Sequence, residues 1–306
     1  MRLIVVVGIL GVVAAAVFYA QRERAQPRVD PAPLVNVLGD VQQTVGRVPA
    51  SATRMSDAEE IAVGNALAGI QPSTSGTELG AYVARVGTDV ARGARRRLPY
   101  TFHVVASPDM VNAFALPGGH VFIGTGLIAL MATEDELAAV LAHEIEHIDH
   151  YHCVDRYQAE RIAGGAPVVG AIVQLPLDVF AAGYSKTQEL EADAEGTRLA
   201  AVAGYSPLAV IGLFEAMQRE AGGQPQKGQT SRAGSPVEEV LSIPVGTIEG
   251  YFRSHPPAAE RIVRINDVVR QDRLDANRRT RPLEPSAQRG VQQGVTSRDT
   301  SSPPSR

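Results

Sequence analysis

Residues 143–147 read His-Glu-Ile-Glu-His, so two histidines stand four positions apart. Four residues of an α-helix turn through about 400° and rise about 6 Å, which puts His143 and His147 on the same face. Two imidazoles at that spacing can bind one zinc ion. Glu144 stands beside the first histidine and can accept a proton from a water molecule whose pKa zinc has lowered. The motif therefore predicts a metal-dependent hydrolase with two histidine ligands and a glutamate general base.

The same five-residue pattern also arises on the solvated face of ordinary amphipathic helices. Here it lies in a strongly patterned helix that we predict from residue 133 to about residue 152. Thr133 and Glu136 have the spacing of a capping box at the start of that helix. An apolar stripe along the helix favours packing against a core; it consists of Leu137, Val140, Leu141 and Ile148. This context favours the metal site over the surface helix.

A third ligand has to come from elsewhere, because catalytic zinc usually has three protein ligands and one open position. The run Glu-Leu-Glu-Ala-Asp at residues 189–193 offers suitable carboxylates. Glu189 and Asp193 are four apart and share a helix face, whereas Glu191 points away. One of the pair can bind zinc while the other orients a ligand. The alternative is an acidic helix start that the helix dipole favours.

Three short segments rich in Val and Phe precede the motif helix and indicate β-strands, at residues 100–106, 111–116 and 120–124. Ser-Pro-Asp and Pro-Gly-Gly turn signals separate them, which predicts a small antiparallel sheet. Helices are predicted to begin at Ser56, with Glu59 as its capping-box partner, and to cover residues 78–92. The expected fold is α+β: a mainly helical domain with one small antiparallel sheet.

The segment 111–116 is expected to be an exposed edge strand beside the metal. An extended polypeptide can add to such an edge through backbone hydrogen bonds, which read little of its sequence. Asn112, Ala113 and Phe114 are therefore candidate substrate-binding residues. Unfolded or misfolded proteins are the expected substrates.

Residues 3–20 form an uncharged, mainly apolar stretch of 18 residues. A membrane-spanning helix needs about 17–25 such residues. We favour an uncleaved signal anchor over a cleaved signal peptide, because the Ala-Ala-Ala site at residues 14–16 would cut the apolar stretch in the middle. A buried core helix is the third alternative. The single cysteine, Cys153, is far from this segment, which excludes a lipoprotein anchor and any internal disulfide.

The rest of the chain divides by composition. We assign residues 1–24 to the signal anchor or signal peptide, 25–53 to a linker, 54–272 to the zinc protease domain and 273–306 to a disordered tail. The formal net charge is −4 and no long basic run occurs, so nothing supports nucleic-acid binding.

Two further segments interrupt the domain. Residues 162–184 are apolar but stand between two parts of the metal site, and a single membrane crossing would separate those parts. A core helix pair or a segment on the membrane surface is expected instead. Residues 221–236 are polar and rich in Gly and Gln, which predicts a flexible loop.

Five motifs occur in order along residues 54–265. They are Asn-Ala-Phe-Ala-Leu-Pro-Gly-Gly at 112–119, Gly-Leu at 126–127, the 143–147 motif, Glu-x-x-Ala-Asp at 189–193, and His-Pro-Pro at 255–257 with Arg261. On these the chain resembles the membrane-associated zinc metallopeptidases that include the CAAX prenyl proteases, HtpX and the bacterial envelope proteases BepA and LoiP. Its single N-terminal apolar segment is similar to the layout of the BepA and LoiP type. It lacks the multiple spans of the CAAX proteases and the tetratricopeptide repeats of BepA.

The resemblance implies a gluzincin-type domain with one Zn²⁺ ion per chain. The first glutamate of the Glu-x-x-x-Asp motif is the family's third ligand, which implies Glu189 here, with Asp193 in support. The family's His-Pro motif lies near the active site, which implies catalytic roles for His255 and Arg261. His255 then either donates a hydrogen bond to the oxyanion, with Arg261 adding positive charge, or occupies the open metal position as a latch. We favour the latch in the resting state.

These features together predict a zinc-dependent endopeptidase that hydrolyses unfolded or misassembled cell-envelope proteins. The resemblance places it at the inner membrane, held by the N-terminal helix, with its catalytic domain in the periplasm. The main alternative is a non-hydrolytic, zinc-stabilised envelope chaperone or assembly factor. Glu144 argues against it, because a structural zinc site needs no general base. A zinc amidase acting on peptidoglycan is the third candidate, but the edge strand favours extended polypeptide.

Three residues close to the motif are expected to have no part in the chemistry. A continuous helix would carry His150 and His152 round the cylinder and away from His143, so both are predicted to be structural or surface residues. Cys153 is predicted to be a small buried residue.

Overall fold

Within the described residues, two helices precede the sheet, and each begins at a side-chain cap. The computed structural model of the protein describes residues 55–69, 76–163, 178–181, 183–223, 248–255 and 258–285. Helix α1 (Asp57–Ala68) begins after Ser56, which forms the predicted capping box with Glu59. Helix α2 (Glu78–Ala91) begins after Thr77, whose hydroxyl accepts a hydrogen bond from the Gly80 N–H. Both predicted helices are confirmed.

The sheet has three strands, β1 (Thr101–Val105), β2 (Ala113–Leu116) and β3 (His120–Gly124), with β3 in the middle. Strand β2 pairs with β3 antiparallel, but β1 pairs with β3 parallel. The prediction of an antiparallel sheet is therefore wrong, and the sheet is mixed. The turn signals indicate that the chain reverses after each strand, but they do not determine which strands pair. Here β3 lies between β1 and β2 and pairs with both, so the strands are not arranged in the order in which they follow one another along the chain.

Helix α4 (Glu134–Asp149) carries the His-Glu-x-x-His motif and is buried along its whole length. The predicted capping box of Thr133 and Glu136 is present at its start. The helix ends earlier than predicted, because Tyr151 has a left-handed φ of 62°. The chain therefore turns before helix α5 (His152–Ala163) begins. This break changes the direction in which His152 points.

The described residues form six further helices. They are the short α3 (Thr125–Ile128) and α6 (Asp178–Ala181), followed by α7 (Lys186–Val202), α8 (Ala209–Gly223), α9 (Ile248–Ser254) and α10 (Ala258–Gln271). Helix α7 lies against α4, and α10 lies against α7. The approach of α7 to α4 needs a glycine, because a Cβ at Gly196 would lie 3.0 Å from the backbone nitrogen of His143. The domain is mainly helical, as predicted.

Part of the predicted tail belongs to the folded domain. The Arg281 N–H donates to Asp135 at 2.7 Å, and the Arg281 carbonyl accepts from the Glu134 N–H at 2.8 Å. Leu283 is buried against the core. The predicted boundary at residue 272 is thus too early, because charges at the start of α4 bind the segment that follows α10. Residues 286–306 lie outside the described residues.

Several other predictions also fall on residues that the structure does not describe. These are the membrane segment at 3–20, the linker at 25–53, most of the apolar stretch at 162–184 and most of the loop at 221–236. Within the described ranges, every helix is too short or too polar to cross a bilayer.

Candidate metal centre

Helices α4 and α7 bring three ligand atoms together. The Nε2 atoms of His143 and His147 lie 3.1 Å apart. The Glu189 carboxylate lies 3.4 Å from His143 Nε2 through Oε2 and 3.6 Å from His147 Nε2 through Oε1. Ligands bound to tetrahedral zinc at about 2.0–2.2 Å stand roughly 3.3 Å from one another. The three side chains can therefore hold one such ion without rearrangement.

The Glu189 carboxylate itself indicates a cation. It is completely buried in the first turn of α7, and its Oε1 has no hydrogen-bond partner. A buried charged oxygen without a partner is costly unless a charge compensates it. A helix-dipole role alone would leave this atom unsatisfied, whereas a metal ion between the two histidines would bind it. The residues present thus fit a metal.

Charged neighbours shift the pKa values of two of the three proposed ligands. Burial and the Arg261 charge lower the pKa of His143, but hydrogen bonds to Asp193 and Glu189 outweigh them and raise it to about 9. Burial raises the pKa of Glu189, yet the neighbouring His255 and hydrogen bonds from the histidines hold it well below its ordinary value. Without a metal, the ionised Glu189 and Asp193 carboxylates favour a proton on His143, and a divalent cation would replace that proton.

Glu144 is buried beside the first ligand, with 2% of its surface exposed. Burial raises the pKa of its carboxyl group, and the His143 charge partly opposes this. A buried carboxyl group with a raised pKa beside a metal ligand is a candidate general base.

Asp193 and Arg261 form a buried pair beneath the ligands. Asp193 Oδ1 lies 3.1 Å from His143 Nδ1, on the side of the ring away from Glu189. The Arg261 guanidinium binds both Asp193 oxygens, at 2.8 Å through Nε and 2.7 Å through Nη2, and Tyr251 at 3.1 Å through Nη1. The structure thus places Arg261 on Asp193 and not beside the ligand atoms. Its charge is used to hold the carboxylate that orients His143.

His255 lies over the third ligand. Its Nδ1 is 2.7 Å from Glu189 Oε2, and its ring centroid is 5.5 Å from that of His143. The side chain is buried and packs on the Tyr251 ring. The predicted proximity of His255 to the metal ligands is therefore observed. Both the oxyanion role and the latch role are compatible with this position.

Strand β2 is at the edge of the sheet, but its side chains are not exposed as predicted. Asn112, Ala113 and Phe114 are all at least 94% buried, because helices cover both faces of the sheet. The Asn112 carbonyl accepts from the Gly124 N–H at 3.0 Å. Since bonding alternates along an antiparallel pair, the Ala113 N–H points away from β3. It donates to the Asn112 side chain at 3.0 Å.

Two contacts of His147 were missed by sequence reasoning. Tyr184 stacks on the His147 ring, with centroids 4.0 Å apart. His152 Nδ1 lies 2.9 Å from His147 Nδ1, although His152 was predicted to point away. The helix break at Tyr151 is the cause, and helical periodicity contains no signal for it. Cys153 is buried, as predicted.

Comparison with known proteins gives the same family. The chain is 33% identical to the mitochondrial metalloendopeptidase OMA1 of Schizosaccharomyces pombe over 156 residues, which are 46% of this chain and 44% of that protein. It is 26% identical to the metalloprotease YcaL of Escherichia coli over 237 residues, 71% of this chain and 83% of the relative. A beta-barrel assembly-enhancing protease of Yersinia pestis is 28% identical over 154 residues, 44% of this chain but only 32% of the relative.

The chain spans less than half the length of two of these relatives. The profile of peptidase family M48 matches residues 78–269, which is more than half of the chain and includes all six site residues of α4, α7 and α10. The resemblance inferred from the ordered motifs is thus confirmed. The chain belongs to peptidase family M48 and is a metalloprotease.

Proposed function

We propose that the chain is a zinc-dependent endopeptidase that hydrolyses peptide bonds of unfolded or misassembled cell-envelope proteins. The observation that carries the proposal is the convergence of His143, His147 and Glu189 with an unpartnered Glu189 oxygen between them. Two imidazoles and one carboxylate are the donor set of many catalytic zinc sites, which keep a fourth position open. Membership of the family gives metal-dependent proteolysis. We propose that the metal is zinc, with one ion per chain.

The chemistry then divides between the metal and the protein. A bound zinc ion supplies Lewis acidity toward water and the scissile carbonyl. Glu144 accepts the proton of the attacking water and returns it to the leaving amine. Asp193 holds His143 in the tautomer that leaves Nε2 free for the metal, and Arg261 keeps Asp193 ionised and in place.

The substrate is proposed to lie along β2. The backbone of Ala113 faces away from β3, so an extended chain can add there as a fourth strand. The Asn112 side chain has to release the Ala113 N–H for that bond to form. Recognition through the backbone would favour unfolded chains over particular sequences, and it requires the edge of β2 to open, because Ala113 is only 3% exposed.

A direct experiment uses β-casein, a polypeptide without stable structure. The purified protein should cleave it, lose the activity with a chelator and regain it with one equivalent of zinc. His143→Ala, His147→Ala and Glu189→Ala should each lose metal. Activity that survives complete metal removal would refute the proposal. A metal-loaded protein that protects β-casein from aggregation without cleaving it would favour the chaperone alternative.

We further propose that residues 3–20 hold the protein at the inner membrane with the catalytic domain in the periplasm. The apolar stretch is long enough to span a bilayer. Envelope substrates are proposed by analogy with one similar protein, a beta-barrel assembly-enhancing protease. Unfolded envelope proteins and the membrane are then the partners of this chain.

A further inference from the structure

A second group of side chains adjoins the metal centre. His152 is buried at the start of α5, 2.9 Å from His147 through the two Nδ1 atoms. Its Nε2 lies 3.4 Å from Glu191 Oε2 on α7. Glu191 Oε1 in turn lies 3.1 Å from Nδ1 of His150, which is closer to the surface. None of these three residues has a part in the chemistry described so far.

The group allows two interpretations. His150, His152 and Glu191 offer ligand atoms within 4.8 Å of one another, which is close enough for a second, outer metal ion. Alternatively, His152 and Glu191 form a hydrogen-bonded chain that ends on the metal ligand His147, and His150 has no part in it. The positions of the hydrogens distinguish the two.

A metal bound to Nε2 of His147 leaves the ring's one hydrogen on Nδ1, which faces His152 Nδ1. The Nδ1 atom of His152 must then accept a hydrogen bond from His147. A neutral His152 therefore carries its own hydrogen on Nε2, which is directed at Glu191. Every hydrogen in this chain has an acceptor. An outer metal on His152 Nε2 would displace the hydrogen from that nitrogen. The ring would then carry no N–H hydrogen, because its Nδ1 has to stay free to accept the hydrogen bond from His147. That would leave an imidazolate anion, which is unfavourable at neutral pH.

Charge gives a second argument against the outer ion. The Arg95 guanidinium lies against His150 and forms an ion pair with Glu146 at 3.2 Å. A cation at the outer group would stand beside this fixed positive charge. The Glu191 carboxylate is already partnered by His152 and His150, whereas Glu189 has an unsatisfied oxygen. Only the inner group therefore needs a metal.

We propose that His152 and Glu191 are positioning residues that fix the tautomer and the ring orientation of the metal ligand His147. The inference rests on the proposed metal centre. His143 has the corresponding support from Asp193 and Arg261, so each histidine ligand would be held through its Nδ1 by a separate chain of residues. The Tyr184 ring stacks on the His147 face and prevents the ring from tilting. Such support typically contributes about 10–100-fold to metal affinity.

The test compares two substitutions of one residue in the full-length protein. His152→Leu removes the acceptor for His147, whereas His152→Asn keeps an oxygen close to the position of Nδ1. Zinc affinity is measured by competition with a chromogenic chelator, and the visible spectrum of the cobalt-loaded protein reports ligand geometry. We expect zinc to bind about 10–100-fold more weakly to the leucine variant. The asparagine variant should recover most of that loss and most of the wild-type cobalt spectrum.

His150→Ala is the matched control, because His150 belongs to the outer cluster and contacts Glu191 but not the metal ligand His147. Its zinc affinity should stay within about twofold of wild type, with one zinc per chain in both proteins. Glu191→Ala changes a half-exposed residue and should weaken zinc binding even if His152→Leu fails to fold. Wild-type affinity in Glu191→Ala and equal losses in the leucine and asparagine variants would each overturn the proposal.

Stoichiometry separates the remaining outcomes. A second zinc equivalent that His150→Ala abolishes would overturn the positioning role in favour of an outer metal site. A wild-type protein that binds no zinc would refute the proposed metal centre itself. Unchanged zinc binding in the variants of a zinc-binding wild type would refute only the role of His152 and Glu191.

Discussion

Asp193 and Arg261 are both buried, and each satisfies the charge of the other directly below a metal ligand. Breaking such a pair leaves an uncompensated charge, which typically costs about 3–5 kcal/mol. Sequence reasoning identified both residues, but in one of its two alternatives it assigned Arg261 to the oxyanion. The structure shows another use of the side chain, because the Arg261 guanidinium lies against Asp193, Tyr251 and the Nδ1 side of the His143 ring. A motif identifies residue types, whereas only the fold determines which way a long side chain extends.

The residue-scale prediction concerns His255. Its hydrogen bond to Glu189 puts the ring next to the third ligand, and we favour the latch role in the resting state. His255→Ala should therefore raise basal cleavage of β-casein and increase self-cleavage, measured by gel electrophoresis at equal zinc content. A fall in kcat of about 10²–10³-fold would instead indicate a lost oxyanion donor. A zinc-loaded variant with the wild-type rate and no added self-cleavage would contradict both roles.

At the scale of elements, the sequence predicted what local chemistry determines. The caps at Ser56 and Thr133, the strand segments and the α4 helix all follow from hydrogen-bonding side chains and hydrophobic periodicity. The order of the strands and the end of α4 could not be predicted in this way. Both depend on tertiary contacts: β3 inserts between two strands, and Tyr151 adopts a left-handed conformation that few non-glycine residues take. The missed role of His152 follows from that second error.

The edge of β2 gives an element-scale prediction. Ala113 is the first residue of the strand, where proline is tolerated, and its N–H faces away from β3. Ala113→Pro removes this donor and should raise KM for β-casein while zinc content stays at the wild-type value. Steady-state kinetics with metal analysis measures both quantities. Unchanged KM in a correctly folded variant would show that substrate does not add to this strand.

His120 at the start of β3 is expected to make the stability of the protein depend on pH. His120 bonds to Thr101 and Asn65, and burial, with a contribution from His103, lowers its pKa to about 4. Unfolded histidine has a pKa of about 6.5, so the unfolded state binds more protons between these values. The stabilisation is thus present above about pH 6.5 and is lost as the pH falls toward 4.

His120→Gln should reduce this pH dependence. After allowance for solvent screening, we expect the wild type to lose about 1–2 kcal/mol more than the variant between pH 7 and pH 5. Urea unfolding at the two pH values gives the free energies. Parallel pH dependence in the two proteins would show that His120 is not buried in its neutral form.

At the scale of the whole molecule, one experiment can test both the membrane attachment by residues 3–20 and the compartment in which the catalytic domain lies. We predict that protease added to spheroplasts digests the catalytic domain, because it lies outside the cytoplasm. Deletion of residues 3–20 should release the protein from the membrane fraction. A cytoplasmic protein and a periplasmic protein serve as controls. A catalytic domain that stays protected until lysis would contradict the proposed orientation.

The central claim is that a buried metal held by His143, His147 and Glu189 acts together with Glu144 as the base. Glu144→Gln tests it most directly, because the substitution keeps the size of the side chain and removes only the proton acceptor. Zinc content and β-casein hydrolysis are measured on the same preparation. We expect the Glu144→Gln variant to bind one zinc per chain and to lose about 10²–10⁴-fold of its hydrolysis rate. Hydrolysis at the wild-type rate by the zinc-loaded variant would contradict it.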